Sequence, residues 1–191
     1  MTSVAAGDRA AFRALHQRHH GLVFRLAYGV LLSRDDAHDV AQDVFVKLLA
    51  AAPTWPAARP VSAWLHRVTM NEALSMKRRL QRATRRWVSG SQPLRLPDVE
   101  ISVHQAVAAT QKAISRLAPR QRAVVTLSLE ADLPPSDIAA VLDITPNTAR
   151  VTLHQALTRL RAAMSAQGVE LPLLDGDPAL ALNALEELDD A

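Results

Sequence analysis

The chain has 191 residues, 49% of them hydrophobic and 21% charged, enough apolar material for real cores and too much for a disordered chain. The absence of cysteine removes disulfide frameworks and thiolate metal sites, and no stretch reaches the roughly 18 uninterrupted apolar residues of a membrane span. A net charge of +3 hides an asymmetry, because residues 1–161 hold all 22 Lys and Arg with 12 acids, while residues 162–191 hold seven acids and no cation; the body suits a polyanion and the tail does not.

Six glycines and abundant alanine and leucine predict an all-α fold. Asp8 to Leu32 reads as one long helix or a kinked pair, anchored by Phe12, Leu15, Val23, Leu26, Ala27, Val30 and Leu31. His16, His19 and His20 share a face there at metal-ligand spacing, but no carboxylate or thiolate partner lies close in sequence, so a solvated face is expected and no metal is assigned. Ser33 with Asp36 three residues on signals the next helix, which runs to just before Pro53. Its buried stripe is Ala37, Val40, Ala41, Val44, Phe45, Leu48 and Leu49, with Asp35, Asp39, Gln42, Asp43 and Lys47 in solvent. Three prolines in PTWPAARP make a loop. A helix from about Val61 to Arg86 follows, with Ala63, Trp64, Val68, Ala73, Leu74 and Leu80 directed inward. It ends in Lys77, Arg78, Arg79, Arg82, Arg85 and Arg86, more cations than the helix macrodipole requires.

Residues 87–97, WVSGSQPLRLP, read as a linker that extends to at most roughly 35–40 Å. Asp98 caps a helix to about Leu117, packed through Ile101, Val103, Val107, Ala108, Ala113 and Ile114. Between Pro134 and Met164 the pattern is helix, tight turn, helix. Ser136 and Asp137 open the first, Ile138, Ala139, Val141 and Leu142 form its apolar face, and Asp143-Ile144 interrupts it. Thr145 as N-cap and Pro146 at the first helical position start the second. Ala149, Leu153, Ala156, Leu157, Leu160 and Ala163 face inward, leaving Asn147, Thr148, Arg150, Val151, Thr152, His154 and Gln155 on the open side. A helix-turn-helix presents that part of its second helix to base edges in the major groove. In the tail, Asp177-Pro178 starts a short helix with Leu180, Ala181, Ala184, Leu185 and Leu188 along one side. It either packs back on the basic body, screening DNA-binding surfaces, or is a solubilising acidic end.

The segment Ile114-Ser115-Arg116-Leu117-Ala118-Pro119-Arg120-Gln121-Arg122-Ala123-Val124-Val125 and the helix-turn-helix after it closely resemble bacterial RNA polymerase sigma factors of the extracytoplasmic-function group. The D-D-A-x-D-V-x-Q-x-V-F pattern from Asp35 to Phe45 resembles the same family, so the likeness spans about residues 7–164. The resemblance implies two small helical domains joined by a flexible linker: residues 1–86 for core polymerase and the minus-ten element, 87–97 as linker, 98–164 for the minus-thirty-five element, and 165–191 as an acidic tail. It implies core polymerase contacts through Asp39, Gln42, Asp43, Phe45 and Lys47. It implies minus-ten contacts through Trp64, Arg67, Asn71, Lys77, Arg78, Arg79 and Arg82, with Trp64 open to a second reading as pure core. Minus-thirty-five contacts fall to the seven open residues of the last helix, where Thr152 and Gln155 replace the arginines of many relatives. Ser33 and Asp143 stand where the family usually has glycine.

No Gly-rich phosphate loop, H-E-x-x-H pair or cysteine nucleophile is present. The expectation is a cytoplasmic, non-enzymatic initiation factor without a cofactor, whose partners are core RNA polymerase, promoter DNA and an anti-sigma factor, with no membrane insertion. Two other readings are a helix-turn-helix regulator that binds duplex operators without core polymerase and a helical scaffold that tethers nucleic acid through basic patches.

Overall fold

The computed structural model describes residues 1–87 and 112–166, and every described regular element is helical. In order these are α1 (Thr2–Ala5), α2 (Arg9–Leu31), α3 (Arg34–Ala51), a 3-10 turn (Ala52–Thr54), α4 (Val61–Trp87), α5 (Pro119–Glu130), α6 (Pro135–Leu142) and α7 (Pro146–Ser165). Residues 112–115 form a helical turn ahead of α5. Trp87, expected to open the linker, is the last residue of α4; the rest of the expected linker, residues 88–97, the helix expected from Asp98 up to residue 111, and the acidic tail from residue 167 lie outside the described residues. No described helix is long and apolar enough to cross a membrane.

Local signals set the boundaries. Asp8 caps α2 by accepting from the amides of Ala10 and Ala11 at 2.8 and 3.1 Å, an interaction that typically contributes about 1 kcal/mol. Ser33 Oγ accepts from the Asp36 amide at 3.3 Å and starts α3. Thr145 Oγ1 accepts from the Thr148 amide at 3.1 Å, with Pro146 opening α7 as expected. α6 starts one residue before Ser136, at Pro135, because Pro134 takes the extended N-cap conformation. Asp143 closes α6 at φ 55°, ψ 52°, the left-handed backbone that glycine usually supplies and that aspartate tolerates better than most residues. Ser33 behaves differently: it is extended at φ −142°, and the left-handed residue is Leu32 at φ 58°.

α2, α3 and α4 enclose Val23, Leu26, Ala27, Val30, Val40, Val44, Leu48, Leu65, Met70 and Ala73. The same apolar cluster continues without interruption into Ala123, Val124, Leu127, Ile138, Ala139, Val141 and Ala149 of the second half. A smaller cluster beneath α7 holds Ala113, Leu117, Val125, Leu129, Ala156, Leu160 and Met164. The two halves are therefore packed on one another, whereas the linker alone permits wide separation. They pack tightly at Gly29, where a Cβ would lie 2.3 Å from Thr126 Oγ1 and 2.7 Å from its Cγ2.

Three expected inward positions are exposed: Ala63 in the first turn of α4, and Leu49 and Leu80, at 43% and 39%. Leu49 lies on a side of α3 open to solvent although Leu48 and Ala52 on either side of it in the chain are buried, and Leu80 lies in the exposed stretch of α4 from Arg78 to Thr84.

Candidate nucleic-acid interface

α4 carries the first candidate surface. Arg67, Asn71, Arg78 and Arg82 recur at spacings of four and seven residues, which places them along one side of the helix, and all four are exposed, as is Arg79. Arg82 Nε donates to the Arg78 carbonyl at 3.2 Å, so its guanidinium folds back along the helix. Trp64 is half-buried and meets Trp55 edge-to-face, with ring centroids 5.4 Å apart. Trp55 is in turn oriented by its indole N–H donating to the Arg59 carbonyl at 3.1 Å. Trp64 is thus neither pure core nor a free ring; it is one half of an aromatic pair joining the proline-rich loop to α4. Sequence reasoning passed over Trp55 because the loop around it has no periodicity, although a second tryptophan nine residues before the first was a usable signal.

Lys77 departs most from the phosphate-binding expectation. Its Nζ donates to the Leu31 carbonyl at 3.1 Å, and the residue is half-buried. Burial lowers its pKa, the neighbouring Arg122 guanidinium lowers it further, and Asp36 acts in the opposite sense. In this conformation the Lys77 ammonium serves the carboxyl end of α2 and faces away from solvent phosphates.

α7 carries the second surface. Asn147, Thr148, Arg150, Val151, His154 and Gln155 are exposed and Thr152 is half-buried, while Ala149, Ala156 and Leu160 hold the helix down. The Thr148 hydroxyl lies 2.7 Å from that of Thr145 and belongs partly to the helix start, leaving Arg150 as the cation early in the helix. Farther along, Arg159 Nη1 donates to Gln121 Oε1 at 3.1 Å, and that oxygen also accepts from the Ala118 amide at 3.2 Å, so one glutamine ties α7 to the start of α5.

The outer side of α3 is a third surface of different chemistry. Asp39, Gln42 and Asp43 are exposed, and Val46 and Leu49 beside them are 58% and 43% exposed. Lys47 forms an ion pair with Glu72 of α4. Phe45 is only 4% exposed, so it supports the surface from beneath. It packs against an imidazole row, with His16 at 4.4 Å and His20 at 6.3 Å between ring centroids. Burial and the neighbouring His16 and His38 lower the His20 pKa. Among the described residues, no group of three or more His, Cys, Asp or Glu has the arrangement to hold a metal ion.

The α4 and α7 surfaces meet. A cleft of about 650 Å³ between the halves is lined by Asn71, Ser75 and Arg78 from α4 and by Arg120, Thr148 and Thr152 from the second half. Arg120 exposes a further cation that periodicity alone did not single out.

Comparison with known proteins locates the likeness. Residues 15–83 match the family model for sigma-70 region 2, and residues 108–160 match that for sigma-70 region 4. The ECF RNA polymerase sigma factor SigM of Mycobacterium tuberculosis is 32% identical over 155 residues, covering 81% of this chain and 78% of the relative. The ECF RNA polymerase sigma factor SigE of Mycolicibacterium smegmatis is 29% identical over 174 residues, covering 87% and 67%. In fold, the chain resembles CnrH, solved in complex with the cytosolic domain of CnrY, at a TM-score of 0.64 and 22% identity over 86% of this chain and 94% of CnrH. It resembles RpoE of Bartonella quintana, solved with the anti-sigma factor NepR, at the same TM-score and 19% identity, over 81% of this chain and 97% of RpoE.

Proposed function

Because the chain belongs to the extracytoplasmic-function group of RNA polymerase sigma factors, we propose that its three surfaces divide the work of promoter-specific initiation. Domain boundaries follow the described units: the helices up to residue 87 engage polymerase and the minus-ten element, and the helix-turn-helix unit ending near residue 164 engages the minus-thirty-five element. The observation that carries this division is the contrast between α3, whose outer side mixes carboxylates with exposed Val46 and Leu49, and the cationic, carboxylate-poor faces of α4 and α7. Acidic and apolar groups together suit a protein partner, and cationic and amide groups suit DNA.

On α3, Asp39, Gln42 and Asp43 provide charge and hydrogen bonds, Val46 and Leu49 provide the apolar contact, Phe45 braces the helix, and Lys47 holds α3 to α4 through Glu72. On α4, the Trp55–Trp64 pair and Asn71 meet unpaired bases while Arg67, Arg78, Arg79 and Arg82 hold phosphates; Lys77 joins them only after leaving Leu31. On α7, Arg150 leads the reading of duplex, with Asn147, Val151, His154 and Gln155 beside it and Thr148 and Thr152 toward the cleft. The protein acts by binding, without catalysis or cofactor, in the cytoplasm, and an anti-sigma factor controls it, as the complexes of its structural neighbours suggest.

The test is whether core RNA polymerase is required. Purified chain with core polymerase is expected to direct transcription from specific start sites on a genomic library, and neither component alone is expected to. Equally specific duplex binding by the chain without polymerase would favour an operator-binding regulator.

A further inference from the structure

Two cations, one from each half, line the cleft without an opposing charge. Arg78 comes from α4 and Arg120 from the first turn of α5, and both side chains are exposed. Among the described residues that line the cleft, Glu72 is the only acid, and its carboxylate is already paired with Lys47 of α3. A cleft edged by one sign of charge concentrates the field inside it and draws in ions of the opposite sign. Part of the wall is apolar. The left-handed Asp143 lets the Ile144 amide donate back to the Ala139 carbonyl at 3.1 Å, a closure that ends many helices. Leu142 and Ile144, on either side of that turn, are both half-buried and both line the cleft. Asn71 adds an amide and Thr152 a hydroxyl, groups that suit the edge of a polar ring.

We infer that the cleft binds a free nucleoside diphosphate, with the phosphates held by Arg78 and Arg120 and the base against Leu142 and Ile144. Its volume of about 650 Å³ falls within the roughly 300–1,000 Å³ of small-molecule sites. Guanidinium forks meet phosphate oxygens two at a time, which makes arginine a strong phosphate ligand. A bare phosphate leaves the apolar wall uncovered, and an uncharged aromatic compound leaves both arginines unmet. A nucleotide satisfies the two together. The ligand is a free nucleotide rather than a strand of promoter, so the site adds to the polymerase and promoter surfaces, although Arg78 serves both. Each half contributes one arginine, and the ligand is shared between them.

Equilibrium dialysis of the full chain against radiolabelled ADP tests this, at about 0.15 M salt, where exposed charges are screened beyond about 8 Å. Saturable binding of ADP is expected. Ser75 is half-buried in the lining, so Ser75→Trp fills the cleft without changing charge and is expected to weaken ADP at least about tenfold. Arg120→Gln is expected to weaken it severalfold. Arg9→Gln removes the same charge from an exposed position outside the cleft and is expected to leave ADP binding unchanged. Inorganic phosphate, which has the charge without the base, is expected to displace ADP only at concentrations at least about tenfold above those at which unlabelled ADP does. Absence of saturable binding would overturn the site. Equal affinity in wild-type, Ser75→Trp and Arg120→Gln chains that circular dichroism shows to be helical would overturn it too. Displacement by phosphate as effective as by ADP would remove the nucleotide, because the apolar wall would then contribute nothing, and an equal loss in Arg9→Gln would mark the binding as diffuse charge attraction. Polymerase and promoter are absent from these assays, so failure of the sigma assignment appears separately, in the transcription test.

Discussion

At the scale of single residues, the clearest consequences concern Arg150 and His66. Arg150 is exposed near the start of α7, where Thr152 and Gln155 bring no charge. Arg150→Ala is expected to weaken minus-thirty-five binding by about 1–3 kcal/mol if the guanidinium reads a guanine, or to make the salt dependence shallower if it holds a phosphate. Titration of labelled duplex over a salt series decides between them, and no change in either quantity removes Arg150 from the interface. His66 is 8% exposed with Nε2 unpartnered, and burial, reinforced by His19, lowers its pKa from the ordinary 6.5. The unfolded chain therefore takes up a proton at this ring before the folded chain does. Stability from this group is present in full above about pH 6.5 and declines as the pH falls below it. Thermal midpoints measured from pH 7 to 5 are expected to fall, and His66→Gln to flatten that fall. An unchanged slope would assign the protons to other groups, with His20 and His19, also lowered by burial, the next to examine.

At the scale of elements, α3 supplies the sharpest expectation. Asp39 and Asp43 are exposed, so reversing either to lysine is expected to cost little stability, as exposed ion pairs and charges contribute about 0–1 kcal/mol, while impairing capture by core polymerase. Val46→Asp is expected to do the same through lost apolar contact, since Val46 is 58% exposed and supports no core. A pull-down unchanged by all three variants would take the outer side of α3 out of the interface. Most elements were legible in the sequence because their signals are local. Ser33 and Thr145 each cap the helix they were expected to cap, and α4 spans Val61–Trp87, one residue past the expected end at Arg86. The left-handed turn at Asp143 was readable for the same reason, whereas at the α2–α3 corner the turn falls on Leu32, one residue before the glycine-like position at Ser33. α1 was not foreseen: four residues with one buried anchor, Val4, leave no periodic trace.

At the scale of the whole molecule, the sequence was least informative about how the halves meet. Gly29 against Thr126 and Arg122 on Val30 pair residues 92 to 97 positions apart, and in the sequence each has a local meaning: a helical glycine and a motif arginine. The candidate site was legible as a roster of exposed residues, but the cleft that brings Asn71 and Arg78 toward Thr148 and Thr152 was not. The charge asymmetry acts at this scale too. Residues 166–191 carry seven of the 19 acids and no Lys or Arg, and lie almost wholly outside the described residues. Deleting them is expected to raise duplex affinity, with the difference shrinking as salt is added, because removing anions from a cationic body strengthens its attraction for phosphate. Equal affinity with and without the tail across the salt series would make it neutral for binding.

The edge-to-face pair of Trp55 and Trp64 has an optical consequence. Only three tryptophans occur in the chain, and two of them touch at the mouth of α4, with the third, Trp87, at its far end. No tryptophan lies in α5, α6 or α7, so ultraviolet emission and near-ultraviolet dichroism originate in the first half alone. Bases captured at the loop would quench that light, while duplex bound only at the recognition helix would leave it nearly unchanged. The unlabelled protein thus carries a native lamp beside the proposed strand-opening surface, able to time that event separately from the docking that precedes it.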